Sequence, residues 1–166
     1  MRAEIRSKFS TIWSNNSGAS LKKTITICFR EGKKYFVPYG VYYKAMENSI
    51  EVFFENKLVF QSTGKWLYPL FELERFLATT DYDPAHLSVK DKIIGRAAAL
   101  LLIYLGVGFV IAVTMSKPGK DALVKHGLKY QYHRLVDRIA CRTEELLIDE
   151  NDLEKAYGIL KRQAKL

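Results

Sequence analysis

Hydrophobic positions are densest between Ser88 and Gly127, and the rest of the chain is read outward from there. Ser88 and Asp91 form an S-x-x-D pair ahead of an apolar run, the pattern of a capped helix start. From Ala97 to Leu105 the run is apolar on every face, which predicts a helix covered on most sides and stopped at Gly106. Phe109 to Met115 is short, β-rich and apolar throughout, which predicts a strand buried on both faces, as in a parallel sheet. Ser116 then caps a second helix, Pro118 fits its first turn and Gly127 closes it.

Ala97 to Met115 carries no charge over 19 residues, close to the ~20 that span a bilayer. Gly106 and Gly108 interrupt it, and β-branched and aromatic residues follow them. The pattern therefore predicts a helix to about Leu105, a break, and an interior strand, with no membrane insertion.

Outside this unit the signals are local. Residues 1–23 are polar and Ser/Asn-rich, the composition of a disordered segment. Thr24 to Arg30 alternates, Glu31 to Lys34 reads as a turn, and Tyr35 to Val37 as a returning strand. Tyr39 to Met46 has the pattern of a short helix. Ile50 to Phe54 and Leu58 to Ser62 predict a hairpin about Asn56-Lys57. Trp66, Leu70, Leu73 and Leu77 fall on one helix face, with Pro69 tolerated in the first turns. Residues 78–87 read as a loop, and its Asp81, Asp83 and His86 as solvated turn residues rather than metal ligands. Leu128, Tyr130 and Tyr132 alternate with polar residues, predicting a strand with one wet face and placing His133 at the surface. Thr143 is a candidate cap for a helix led by Glu144 and Glu145. Asn151 and Glu154 mark the last helix, with Leu153, Ala156, Tyr157, Leu160 and Ala164 on its buried face.

Charge divides the 166 residues unevenly. The net charge is +8, but residues 1–48 hold nine Lys/Arg against three Asp/Glu, and residues 49–166 hold seventeen against fifteen. This predicts a basic N-terminal extension over 1–48 and a folded domain over 49–166. The extension's basic residues and tyrosines could stack on single-stranded nucleic acid. With no RNA-binding signature present, packing of those aromatics on a core is the favoured reading. Cys28 and Cys141 make no disulfide framework, and polar residues from Ser7 to Ser20 interrupt any signal-peptide core, so a cytoplasmic protein is expected.

The D-K-I-I-G-R-A-A-A of Asp91 to Ala99, the hydrophobic strand after it, the Ser116 helix start and the L-V-x-x-I of Leu135 to Ile139 resemble an uncharacterised prokaryotic family. The G-K-W-L-Y-P-L-F-E-L-E of Gly64 to Glu74 fits the same family. The resemblance covers about two-thirds of the chain and none of 1–48. It implies an α/β fold, a three-layer α-β-α cytidine-deaminase-like mixed sheet, in a domain sometimes attached to ABC-transporter ATPases. One departure stands out. The family carries a longer glycine-containing segment with a C-P-M-E motif after the last strand, compressed here to Cys141-Arg142-Thr143-Glu144-Glu145.

Zinc deaminases need H-x-E at one helix start and P-C-x-x-C at the next. Lys90-Asp91-Lys92 and Pro118-Gly119-Lys120-Asp121-Ala122 supply neither, so no zinc and no other cofactor is expected. Two helix starts that converge without a metal leave free N–H groups and positive dipole ends. Ringed by Lys92, Arg96, Ser116, Lys117, Gly119 and Lys120, they predict a site for an anionic, phosphate-bearing or nucleotide-like small molecule. A transporter-linked regulatory role follows from the resemblance, with an ABC-transporter ATPase as the implied partner. Two alternatives stay open. One is an enzyme using Cys141 as nucleophile, beside Arg138 and Arg142, or Asp91 as acid or base. The other is nucleic-acid binding through the basic extension. A solvated edge of lysines is the plainer reading of the same cations, and on the anion reading Arg96 is dispensable for stability without ligand.

Overall fold

The computed structural model describes residues 46–166 in full, together with the backbone of 26–30 and 33–37. The chain divides into two units, with the boundary between Ala45 and Met46. In the first, β1 (Thr26–Arg30) and β2 (Lys33–Val37) pair antiparallel with Arg30 opposite Lys33. The expected hairpin is there, and its return strand starts two residues earlier than Tyr35. Residues 1–23, and residues 39–45 of the helix expected over Tyr39 to Met46, lie outside the described residues; Met46 itself is not helical.

The second unit runs β3 (Ile50–Phe54), β4 (Lys57–Ser62), α1 (Tyr68–Ala78), β5 (Leu87–Ile94), α2 (Arg96–Tyr104), β6 (Phe109–Ser116), α3 (Lys117–Lys125), β7 (Lys129–Val136), α4 (Arg142–Leu146) and α5 (Leu153–Ala164). Its five strands form one mixed sheet in the order β4-β3-β5-β6-β7. β3 is antiparallel to both neighbours, and β5, β6 and β7 are parallel. The fold is α/β. The β3–β4 turn is Glu55-Asn56, with φ of 47° and 67°. Two successive left-handed residues match the twist of a two-residue hairpin, and they place the turn one residue earlier than Asn56-Lys57.

The central pattern is realised as predicted from Ala97 onward. α2 ends at Tyr104, Gly106 turns the chain at φ 72°, and β6 runs between two parallel partners. No helix among the described residues is long and apolar enough to cross a membrane. α2 is apolar all round because it packs on β5 and on all four other helices of this unit, with Ala97 to Leu102 buried. α5 is fixed across it by Tyr157, whose ring stacks on Tyr104 at 4.3 Å and whose hydroxyl donates to Glu74 at 2.6 Å.

One expectation is overturned. Ser88, Lys90, Asp91 and Lys92 do not start a helix; they lie on β5. That strand is laddered to β3 on one side and β6 on the other. Two long-range ladders outweigh a local S-x-x-D signal, and the first helical residue is Arg96, after an N-cap Gly95 with no side chain. Smaller differences are of the same kind. Trp66 stands outside α1, exposed and at φ 56°. Asp152, not Asn151, caps α5 by accepting from the Lys155 N–H at 3.1 Å. Asp83 and His86 belong to a short 3-10 turn in which Asp83 accepts from the Ala85 N–H and pairs with His86 at 2.9 Å.

Gly108 joins α2 to β6 where the chain passes over that turn. Its N–H donates to Pro84 O at 3.0 Å, and a Cβ there would lie 1.9 Å from Ala85 O. Gly106 is in open space and has only its positive φ to protect. Gly108→Ala is expected to cost about 2–3 kcal/mol through forced backbone movement, and Gly106→Ala about 1 kcal/mol through its left-handed φ. Denaturant midpoints of the two variants check this; an equal or smaller loss at position 108 contradicts it.

Candidate functional site

α2 and α3 leave the ends of adjacent parallel strands, so their first turns lie side by side. Ser116 is fully buried and caps α3, its Oγ accepting from the Gly119 N–H at 3.1 Å. Gly119 is seated directly on the chain that enters α2. A Cβ there would lie 2.9 Å from Ile94 O and 3.0 Å from the Gly95 carbonyl carbon. Gly95 in turn has no side chain, and a Cβ on it would lie 3.3 Å from Oε1 of Glu144. Two glycines thus bring the helix starts together and leave room for one carboxylate.

That carboxylate belongs to the chain. Glu144 is 4% exposed. Its Oε1 accepts from the Arg96 N–H at 3.2 Å and from the Ser116 hydroxyl in a short hydrogen bond, and its Oε2 accepts from the Ile139 N–H at 2.6 Å. The hydroxyl accepts from Gly119 while donating to Glu144, so the α3 start is relayed to the same anion. A negative charge at the first turn of a helix is favoured by the dipole and by the unpaired N–H groups there.

The predicted cations are disposed differently from the expectation. Arg96 contributes its backbone N–H to the anion, but its buried guanidinium faces away. Nε donates to Leu147 O, and Nη2 to Glu150 O at 2.6 Å and Asn151 Oδ1 at 3.2 Å. It pins the α4–α5 connection, and truncating it would strand those acceptors, so Arg96 is not dispensable for stability. Lys92 is on β5 and donates to Glu47 O at 2.9 Å. Lys117 opens α3 but is exposed and pairs with Asp137 at 2.7 Å; that hydrogen bond raises the pKa of Lys117 and lowers that of Asp137. Lys120, half-buried, is in the first turn of α3.

The alternative catalytic residues are apart from this cluster in role. Cys141 Sγ lies 2.8 Å from Thr143 Oγ1, a hydroxyl and not a base. Cys141 is itself the N-cap of α4, while Thr143 is buried inside it and caps nothing. Asp91 Oδ1 accepts from the Ile93 N–H at 2.9 Å. Burial pushes its pKa from 3.8 up to about 7, against the opposing pull of that N–H and of Lys92. No group of three His, Cys, Asp or Glu side chains among the described residues could hold a metal ion. Glu144 was the missed residue: read by local rules it was an exposed first-turn acid. Nothing in the local sequence sets it apart from Glu145, the acid beside it.

A mixed-sheet α/β domain with an internal carboxylate at two helix starts is the class defined by this geometry. The chain belongs to the TM1506 family, a domain of unknown function (DUF1893), whose family model matches residues 45–163. The crystal structure of a DUF1893 family protein (TM1506) from Thermotoga maritima is similar in fold, with a TM-score of 0.63 and 22% identity over 70% of this chain and 81% of that one. None of the curated proteins matches the chain.

Asp91 supplies a pH prediction. Its folded pKa of about 7 lies above the ordinary 3.8, so the folded state binds more protons than the unfolded state between those values. Its contribution to stability therefore falls as pH rises from about 4 to about 7 and is constant above. Asp91→Asn keeps the acceptor for the Ile93 N–H and removes the charge. Thermal unfolding should show the variant more stable than the parent at pH 8 and equal to it near pH 4. A variant no more stable than the parent at pH 8 contradicts the assignment.

Proposed function

We propose that the 46–166 domain is a non-catalytic ligand-binding module with a deaminase-like three-layer arrangement, and that its two convergent helix starts form an anion site whose resident anion is Glu144. A phosphate-bearing or nucleotide-like small molecule binds there by replacing that carboxylate. One observation supports the reading above the rest. A single buried carboxylate collects donors from three separate segments, namely the Arg96 N–H, the Ser116 hydroxyl and the Ile139 N–H. Backbone amides and a hydroxyl serve a phosphate oxygen as well as a carboxylate oxygen. Lys117 is available at the rim, because an exposed ion pair such as Lys117–Asp137 is worth little and exchanges readily. The regulatory, transporter-linked role rests on the family resemblance alone.

Catalysis is the weaker reading. Cys141 has a hydroxyl partner, and Asp91 sits on a strand and not at a helix start. A zinc ligand at position 119 would need a Cβ where the backbone of Ile94 and Gly95 already lies.

Glu144→Ala leaves the three donors facing a carboxylate-sized space. Its melting temperature is expected to fall below that of the parent and to recover in part with acetate or inorganic phosphate at low ionic strength. The parent, already filled by Glu144, should respond less. If neither anion raises the variant's melting temperature more than the parent's, the helix starts are not an anion site.

A further inference from the structure

Where β4 leads into α1, the 46–166 domain exposes aromatic rings that its core does not use. Lys65 to Tyr68 form a turn in which the Tyr68 N–H donates to Lys65 O at 3.3 Å. Trp66 is the first central residue of that turn, at φ 56°, where glycine, asparagine or aspartate is usual. A bulky side chain in the left-handed region is strained. Burial does not offset the strain: Trp66 is 41% exposed, while Leu67 beside it is buried. Tyr68, 43% exposed, meets the Trp66 ring at 5.5 Å and 69°, edge to face. Its hydroxyl donates to Ala164 O at 3.3 Å, which brings the end of α5 alongside. There Leu166 is 51% exposed. Exposed cations border the three apolar side chains, Lys65 in the turn and Arg162 and Lys165 at the end of α5. The acid one turn beyond Tyr68 on α1, Glu72, is half-buried.

We propose that this corner is a peripheral docking site for an anionic lipid surface. Trp66, Tyr68 and Leu166 enter the interfacial layer, and Lys65, Arg162 and Lys165 meet the lipid phosphates. Trp and Tyr suit that layer because each joins an apolar ring to a single polar group. A strained turn that sends Leu67 inward and Trp66 outward has a use there. The contact is at headgroup depth and needs no spanning segment. Single-stranded nucleic acid matches the same cations but not the apolar groups. Rings inclined at 69° do not both stack on successive parallel bases, and Leu166 has no ring to stack on. Three apolar side chains and three cations make a weak, salt-sensitive attachment.

Trp13 and Trp66 are the two tryptophans of the chain, so the full chain carrying Trp13→Phe reports on Trp66 alone. The probe is vesicles of phosphatidylserine and phosphatidylcholine in equal parts. At low salt they should shift Trp66 emission to the blue; phosphatidylcholine alone, or the mixed vesicles at high salt, should not. Glycine suits the positive φ, so Trp66→Gly should melt no lower than the parent. It should nevertheless co-sediment with the mixed vesicles about tenfold less tightly. Lys65→Ala should weaken co-sedimentation about fivefold. Trp66 emission that stays unshifted on the mixed vesicles, or an affinity unchanged by Trp66→Gly, overturns the proposal. Quenching by a single-stranded oligonucleotide in place of a vesicle-induced shift overturns it too, and assigns the patch to base stacking.

Discussion

Burial of one carboxylate is the constraint on which the rest of the domain depends. Removing an unpaired carboxylate from water costs several kcal/mol, and only a full set of charge-assisted hydrogen bonds offsets that. Glu144 has such a set, drawn from the start of α2, the junction of β6 with α3, and the chain that leaves β7. Arg96 doubles the tie. Its backbone reaches Glu144 at one end of the 139–151 segment, and its guanidinium holds Leu147, Glu150 and Asn151 at the other. The segment is thereby laid across the helix starts, and α5 is delivered onto α2, where Tyr157 meets Tyr104.

The same arrangement sets the chemistry. A helix start normally offers N–H groups to whatever anion diffuses in. Here the fold supplies its own, and glycines at 95 and 119 make the space for it. The cations nearest in sequence are directed elsewhere, Arg96 to carbonyls and Lys92 to Glu47. What remains at the start of α3 is Lys117, in an exposed and exchangeable pair, and the half-buried Lys120. On the proposed reading, an external anion has to displace this tethered carboxylate.

Much of this architecture was legible in the chain, and the parts that were not share a cause. The α2–β6–α3 unit could be read because hydrophobic patterning encodes burial directly, and Gly106, Ser116 and Pro118 mark its joints locally. β5 could not, because its strand character comes from partners 41 residues before Asp91, at Ile50, and 21 after it, at Ala112. Its own Ser88 and Asp91 imitate a helix cap. Glu144 shows the limit more sharply. In sequence it is one of two adjacent acids at a helix start; only the fold turns one of them inward and leaves Glu145 exposed. The expected site joined two helix starts, at Asp91 and at Ser116; the first helix instead starts at Arg96, and the carboxylate that meets both starts is the chain's own Glu144.

A double-mutant cycle on the hydrogen bond between Ser116 and Glu144 measures the tie itself. Unfolding free energies of the parent, Ser116→Ala, Glu144→Gln and the double variant give the coupling with the other donors left in place. If the carboxylate organises the helix starts, the coupling is favourable and about 1–3 kcal/mol, as for a hydrogen bond to a buried charge. A coupling within about 0.3–0.5 kcal/mol of zero, the range of independent sites, would mean that Glu144 is a bystander and that the two helix starts are held together by packing alone.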